Sequence, residues 1–286
     1  MSHQGYIDRQ KQLVWFWAPK CGATTLLKLL KMNEYNLNRG HIPHSSSPFN
    51  ECLQYIQDYN FSSIVFCRNP ITRIISCFIN KFVLYKNKPI YYRQDLENFS
   101  REFFDIFRKE KGFPQQEDRV LITFEDFLDI VSIIFQRQDN SNNRTVNHHW
   151  DTQVSPALLS LIYDYIVPME DFQDSIQYVA SIFGVQVGNI HANKTNYTNQ
   201  ITSEYLGAIP SFFIDRSQLR IENFLTENNK RKIKNLYLHD FEMFGYNTNN
   251  IYLPPKNYKH QKNIQIQHRL NLNKNRIQEF KAFLNG

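Results

Sequence analysis

Short apolar runs and amphipathic stretches alternate along the whole chain. Residues 14–17 ("VWFW"), 63–67 ("SIVFC"), 120–124 ("VLITF") and 163–167 ("YDYIV") are runs of strand length, rich in β-branched and aromatic side chains. Between and after them, apolar residues three and four apart predict helices over 24–32, 70–84, 99–109, 125–136, 170–183 and 226–239. The 70–84 helix is the clearest. Ile71, Ile74, Ile75, Phe78, Ile79 and Phe82 fall on one face and Arg73, Ser76 and Asn80 on the other, with Asn69 and Pro70 suited to its N-cap and first turn. Strands that alternate with helices predict an α/β fold, a single domain with a central parallel sheet flanked by helices.

Composition narrows the class. The 286 residues are 42% hydrophobic, enough for a sizeable core. No apolar run approaches the ~20 residues of a membrane-spanning helix, and the first residues lack the apolar stretch of a secretory signal, so a cytoplasmic chain without a membrane span is expected. Cys21, Cys52, Cys67 and Cys77 show no C-x-x-C spacing, which signals neither a zinc site nor a disulfide framework. A net charge of +6 favours an anionic ligand. Residues 1–250 are expected to form the working domain and 251–286 a basic extension, solvated rather than wrapped on nucleic acid; its stretch "LPPKNYKHQKNIQIQHRLNLNKNR" is basic and carries no Asp or Glu. "QDNSNNRTVNHH" and "HANKTNYTNQ" read as polar loops, either linkers or covers for a ligand.

The first predicted strand runs through "APKCGATT" into the first helix. A strand, a tight loop and a helix start present backbone N–H groups together at the positive end of the helix dipole, which makes an anion site. The ATP and GTP form of this device, G-x-x-x-x-G-K-[ST], is not met: one glycine is missing, and Lys20 precedes the loop instead of closing it. "PKCGATTL" instead resembles the P-K-x-G-x-T-x-L signature of sulfotransferases. "IVFCRNPITRIISCFINKF" resembles their second signature, in which an Arg at a strand end and a Ser in the following helix clasp a 3′-phosphate. "FEDFLDIV", "NHHWDTQ", "YDYIVPMEDFQDSIQYV" and "YLHDFEMFGY" then follow in the order seen in the Golgi carbohydrate sulfotransferases that act on chondroitin, dermatan and the glucuronyl epitope of glycoproteins. The likeness covers about residues 13–246. Those enzymes carry a membrane anchor, and cysteines commonly follow their His-Trp motif; "HHWDTQVSPALLS" has none, which fits a soluble, bacterial relative whose acceptor can differ.

The resemblance implies a P-loop, nucleotide-kinase-like fold, 3′-phosphoadenosine-5′-phosphosulfate (PAPS) as donor and 3′,5′-ADP (PAP) as product, with no metal and no nucleic acid. The acceptor would be a hydroxyl, on a glycan or on a small metabolite. On this reading the loop of Lys20, Cys21, Gly22, Ala23, Thr24 and Thr25 holds the 5′-phosphosulfate, and Lys20 neutralises charge on the departing bridging oxygen. Arg68 and Ser76 clasp the 3′-phosphate. Lys194 and Thr195 add nucleotide contacts through a fainter likeness to the uronyl 2-sulfotransferases. In-line transfer needs a base for the acceptor proton and no covalent intermediate on Cys21. His41 and then His44 in "RGHIPHSS" are the first candidates, followed by His149 and, more remotely, Glu51. Two other classes stay in view: a P-loop-like kinase, which would need a Walker lysine and a metal-binding Asp, and a nucleic-acid-binding module built on the basic tail.

Overall fold

The computed structural model describes residues 4–32, 47–86, 88–114, 116–139, 147, 149–153, 163–187 and 204–255. They fall into two compact units, one of Ser2–Asn69, Thr152–Lys194 and Leu238–Gly286, the other of Pro70–Asp151 and Thr195–Tyr237. The first contains a five-stranded sheet; the second is helical apart from a short antiparallel hairpin of Leu84–Tyr85 and Lys88–Pro89.

In the sheet unit the strands are β1 Gln4–Asp8, β2 Leu13–Trp17, β3 Ser47–Pro48, β4 Ser62–Cys67 and β5 Tyr165–Pro168. Their order is β3-β1-β2-β4-β5. The centre is parallel, as the alternation of strands and helices predicts: Trp15 pairs with Ile64, and Val65 with Ile166. β1 adds an antiparallel edge, paired with both β2 and β3. The apolar pattern did not announce β1, because "QGYID" carries only two large apolar side chains.

β2 is apolar at every position because both faces of the sheet are covered. On one face Leu13, Trp15, Ile64, Phe66, Tyr165 and Val167 pack with Leu26 and Leu29 of α1 (Ala23–Met32) and Ile176 and Val179 of α6 (Phe172–Phe183). On the other face Phe16 meets Phe49 of α2 (Phe49–Gln57) at 6.0 Å and Tyr163 at 5.4 Å between ring centroids, and Tyr163 stacks on Phe244 of α8 (Leu238–Phe244). Each such side chain contributes about 1.5–3 kcal/mol on burial. A polar staple fixes the β4–β5 register. Asp164 Oδ2 accepts from the Ser63 N–H (2.8 Å) and hydroxyl (2.9 Å), and Ser63 Oγ accepts from the Asp164 N–H (2.9 Å). Because Trp17 pairs with Phe66, the turn after β2 lies beside the turn after β4.

The helical unit contains α3 (Pro70–Phe78), α4 (Asn98–Lys111), α5 (Phe124–Asp139) and α7 (Glu227–Leu236). Its core is aromatic: Phe78 meets Phe82, Phe124, Phe127 and Phe224 at centroid distances of 5.9, 5.4, 5.6 and 5.8 Å. The apolar face predicted for α3 is buried throughout, but its polar face is narrower than expected. Arg73 is 0% exposed, because α3 packs against both α5 and α7, so Ser76 and Asn80 alone stay half-buried among the three polar positions. The helix ends in a wider turn over Ile79–Val83, where buried Lys81 pairs with Glu97 at 2.5 Å.

Two boundaries are corrected. Residues 120–124 do not form a strand: Val120 donates to Tyr91 O (2.8 Å) and its carbonyl accepts from Phe212 (3.0 Å), an irregular extended segment. The helix starts at Phe124 because Thr123 and Asp126 make a reciprocal cap, Asp126 N–H to Thr123 Oγ1 (3.0 Å) and Thr123 N–H to Asp126 Oδ2 (3.2 Å). The predicted 226–239 helix divides into α7 and α8 at Tyr237, whose hydroxyl donates to Trp150 O at 2.6 Å. Among the described residues no helix is long and apolar enough to cross a membrane.

Candidate active site

The turn after β2 is built from backbone. Lys20 (φ 68°) and Gly22 (φ 82°) are both left-handed, and the Cys21 N–H closes the turn on Ala18 O at 3.0 Å. Position 22 requires glycine for its φ, and a Cβ there would lie 2.5 Å from Sδ of the flexible Met169 side chain, which would have to shift. Lys20 carries a side chain at a φ that costs it roughly 1–2 kcal/mol, a kind of strain that collects at functional sites. α1 then starts at Ala23 with no acidic residue in its first turn, so no carboxylate of that turn offsets the positive potential of its N–H groups and the helix dipole.

Thr25 points the same way. It is 1% exposed, and its Oγ1 has no hydrogen-bond partner among the described residues. A buried hydroxyl left in that state costs about 1–3 kcal/mol, a cost that an anion at the helix start would remove. Cys21, by contrast, turns inward: it is 0% exposed and its thiol donates to Gln153 Oε1 at 2.8 Å.

The turn after β4 is built from side chains. Arg68 lies one residue past Cys67, the last rung of the ladder with β5. The Gln153 carboxamide takes the place of a further strand: Oε1 accepts from the Arg68 N–H (2.9 Å) and Nε2 donates to Arg68 O (2.8 Å). At the next residue the Asn69 N–H donates to Glu170 Oε1 at 2.8 Å. Glu170 Oε2 accepts from the Tyr246 hydroxyl (2.8 Å), so the Cys67 thiol, 3.4 Å from Tyr246 Oη, is the donor in that contact. Burial pushes the Glu170 carboxyl above its ordinary range, while its bonds to Asn69 and Tyr246 and the Arg68 charge pull the other way. The Arg68 guanidinium is half-buried and reaches Lys20 O at 3.5 Å, which lays it alongside the loop after β2.

Within the sheet unit the structure thus brings Lys20, Gly22, Ala23, Thr25 and Arg68 to one end of the parallel strands. In the helical unit Ser76 stands half-buried on α3. His149, also in that unit, is held from two directions. Its ring stacks on Phe99 at 4.4 Å and 8°, and Asn147 Oδ1 accepts from both its N–H (3.0 Å) and Nδ1 (2.8 Å). The backbone N–H decides which amide atom of Asn147 faces the ring, so Nδ1 is the donor to Asn147 Oδ1. Glu51 lies in the first turn of α2. His41, His44, Lys194, Thr195 and the Thr24 side chain lie outside the described residues.

Sequence reasoning did not single out Gln153 or Glu170 as site residues, although "NHHWDTQ" and "YDYIVPMEDF" contain them.

The chain belongs to the sulfotransferase family, whose model matches residues 3–247. The parallel strand centre flanked by helices, with the turn after β2 at the strand ends, is consistent with a P-loop-like fold. Similar proteins are carbohydrate sulfotransferase 11 of Mus musculus and of Rattus norvegicus, each 22% identical over 85% of this chain and 67% of theirs. The Danio rerio protein of the same name is 23% identical over 84% of this chain and 66% of its own. No solved structure gives a significant match.

Proposed function

We propose that the protein is a PAPS-dependent O-sulfotransferase acting on a carbohydrate hydroxyl. The observation that carries this reading is the loop after β2, with left-handed Lys20 and Gly22, a helix start without an acidic residue in its first turn and the buried Thr25 hydroxyl. These residues fit a 5′-phosphosulfate. Bound PAPS would supply the sulfuryl group, and 3′,5′-ADP would remain. The first-turn N–H groups and the Thr24 and Thr25 hydroxyls hold the phosphate, and Lys20 neutralises charge growing on the bridging oxygen. Arg68 forks onto the 3′-phosphate, a role that Ser76 shares on the strength of the sequence signature.

The base for the acceptor proton is drawn from His41, His44 and His149. For His149 the support is the orientation of its ring, which Phe99 and Asn147 hold from two directions. Lys194 and Thr195 remain nucleotide contacts of the same reading. A carbohydrate acceptor is supported by the names of the similar proteins and by the net charge of +6, which suits an acidic glycan. The reading includes a cytoplasmic location; in support, no disulfide joins Cys21, Cys52, Cys67 and Cys77 among the described residues.

Calorimetric titration with 3′,5′-ADP, 5′-ADP and ATP with magnesium tests the proposal. Binding that depends on the 3′-phosphate is expected. Equal or tighter binding of ATP would mean that the loop holds another anion.

A further inference from the structure

A guanidinium discriminates a phosphate only if its backbone is held in one direction, and Arg68 stands where strand pairing has stopped. Its N–H and C=O would ordinarily be met by the next rung of a sheet. Here both are met by one side chain, Gln153, at 2.9 and 2.8 Å. The two backbone groups fix which amide atom is which, because an N–H can meet only Oε1 and a carbonyl only Nε2.

Gln153 is itself held. It is 4% exposed, its N–H donates to Oδ2 of the fully buried Asp240 at 2.9 Å, and its Nε2 lies 3.4 Å from the same oxygen. Oε1 also takes the Cys21 thiol at 2.8 Å, so one carboxamide ties the Arg68 turn to the loop after β2. A residue 85 positions along the chain from Arg68 therefore fixes the Arg68 backbone, whereas the loop after β2 meets it only through the Cys21 side chain.

Resting on the sulfotransferase reading above, we infer that Gln153 is a positioning residue that sets the enzyme's discrimination for the 3′-phosphate by fixing the backbone of Arg68. Asp240 anchors it.

The test compares the affinity of 3′,5′-ADP with that of 5′-AMP, which lacks the 3′-phosphate, in the full-length chain. Gln153→Leu should cut the ratio by about tenfold or more with 5′-AMP affinity little changed, since a hydrogen-bonded charge contact is worth about 1.5–3 kcal/mol. In an Arg68→Ala background the same change should have no further effect on the ratio. Gln153→Glu keeps nearly the same shape and serves if the leucine variant does not fold. Its ionised carboxylate cannot donate to Arg68 O and is repelled by Asp240, so its discrimination should fall as pH rises from about 5 to 8, while the wild type changes less. Loss of both nucleotides in parallel, or an unchanged ratio in the variants, would overturn the inference and leave the sulfotransferase reading standing. A wild-type protein that does not distinguish the two nucleotides would overturn both.

Discussion

The two turns that meet at the ends of β2 and β4 are made by opposite means. After β2 the chain shapes itself: left-handed Lys20 and Gly22, a bond from Cys21 back to Ala18, and a helix start, all within eight residues. After β4 the chain is shaped from outside, by Gln153 and Glu170, which lie 85 and 101 positions away. A turn made of backbone is fragile at its glycine and indifferent to most distant changes. A turn made by clamping side chains survives local substitution and fails when a distant clamp is lost.

The largest effect should follow from Gly22→Ala. The new Cβ meets Met169 Sδ, and the φ of 82° is strained for alanine, so a loss of stability of about 1–3 kcal/mol and at least ~100-fold weaker 3′,5′-ADP binding are expected. Calorimetry and thermal unfolding measure both; near wild-type binding would mean that the backbone does not make the site. Next in size is a split between the turns. Lys20→Ala should lower kcat about 100-fold with a smaller change in nucleotide affinity, whereas Arg68→Ala should weaken 3′,5′-ADP binding by about 10- to 100-fold. Equal losses of turnover with unchanged affinity in both variants would erase the distinction.

Thr25→Val gives a smaller effect with two signs. Replacing a buried hydroxyl that has no partner among the described residues by an isosteric methyl should raise the Tm of the nucleotide-free protein by a few degrees. It should also weaken 3′,5′-ADP binding by roughly tenfold. A hydroxyl serving only the fold would lower the Tm and leave binding alone.

That contrast also explains what the sequence disclosed. The β2 loop was legible because its signals are local: "PKCGATTL" holds the glycine, the lysine and the helix start in one window. The parallel centre of the sheet was legible because strands buried on both faces read as continuous apolar runs. The clamps were not, because nothing near Gln153 or Glu170 in the chain says which backbone each will meet. Arg73 was misplaced for a related reason. Helical spacing assigns a residue to a face, but it cannot say that a second helix covers that face as well. At 120–124 the apolar run was real, and the Thr123–Asp126 cap overrode its strand pattern at the C-terminal end.

The smallest expected effect separates the charge of a clamp from its hydrogen bonds. Glu170 holds the Asn69 N–H as a mostly buried carboxylate, and burial raises its pKa above the ordinary 4.5. A carboxyl raised in the folded state binds its proton more tightly folded than unfolded. Its contribution to stability is therefore greatest below about pH 4.5 and is lost as pH rises through the folded value. Glu170→Gln keeps an Oε1 acceptor for Asn69 and removes the ionisation, and Tyr246 Oη can accept from the new amide. The variant should lose less stability than the wild type between about pH 5 and 8, a difference of no more than a few degrees in Tm, with 3′-phosphate discrimination preserved. Parallel stability profiles would show that the carboxylate is not buried at a cost. Lost discrimination with a flattened profile would show that the Arg68 turn depends on the Glu170 charge, which attracts the guanidinium, and not only on the acceptor it offers to Asn69.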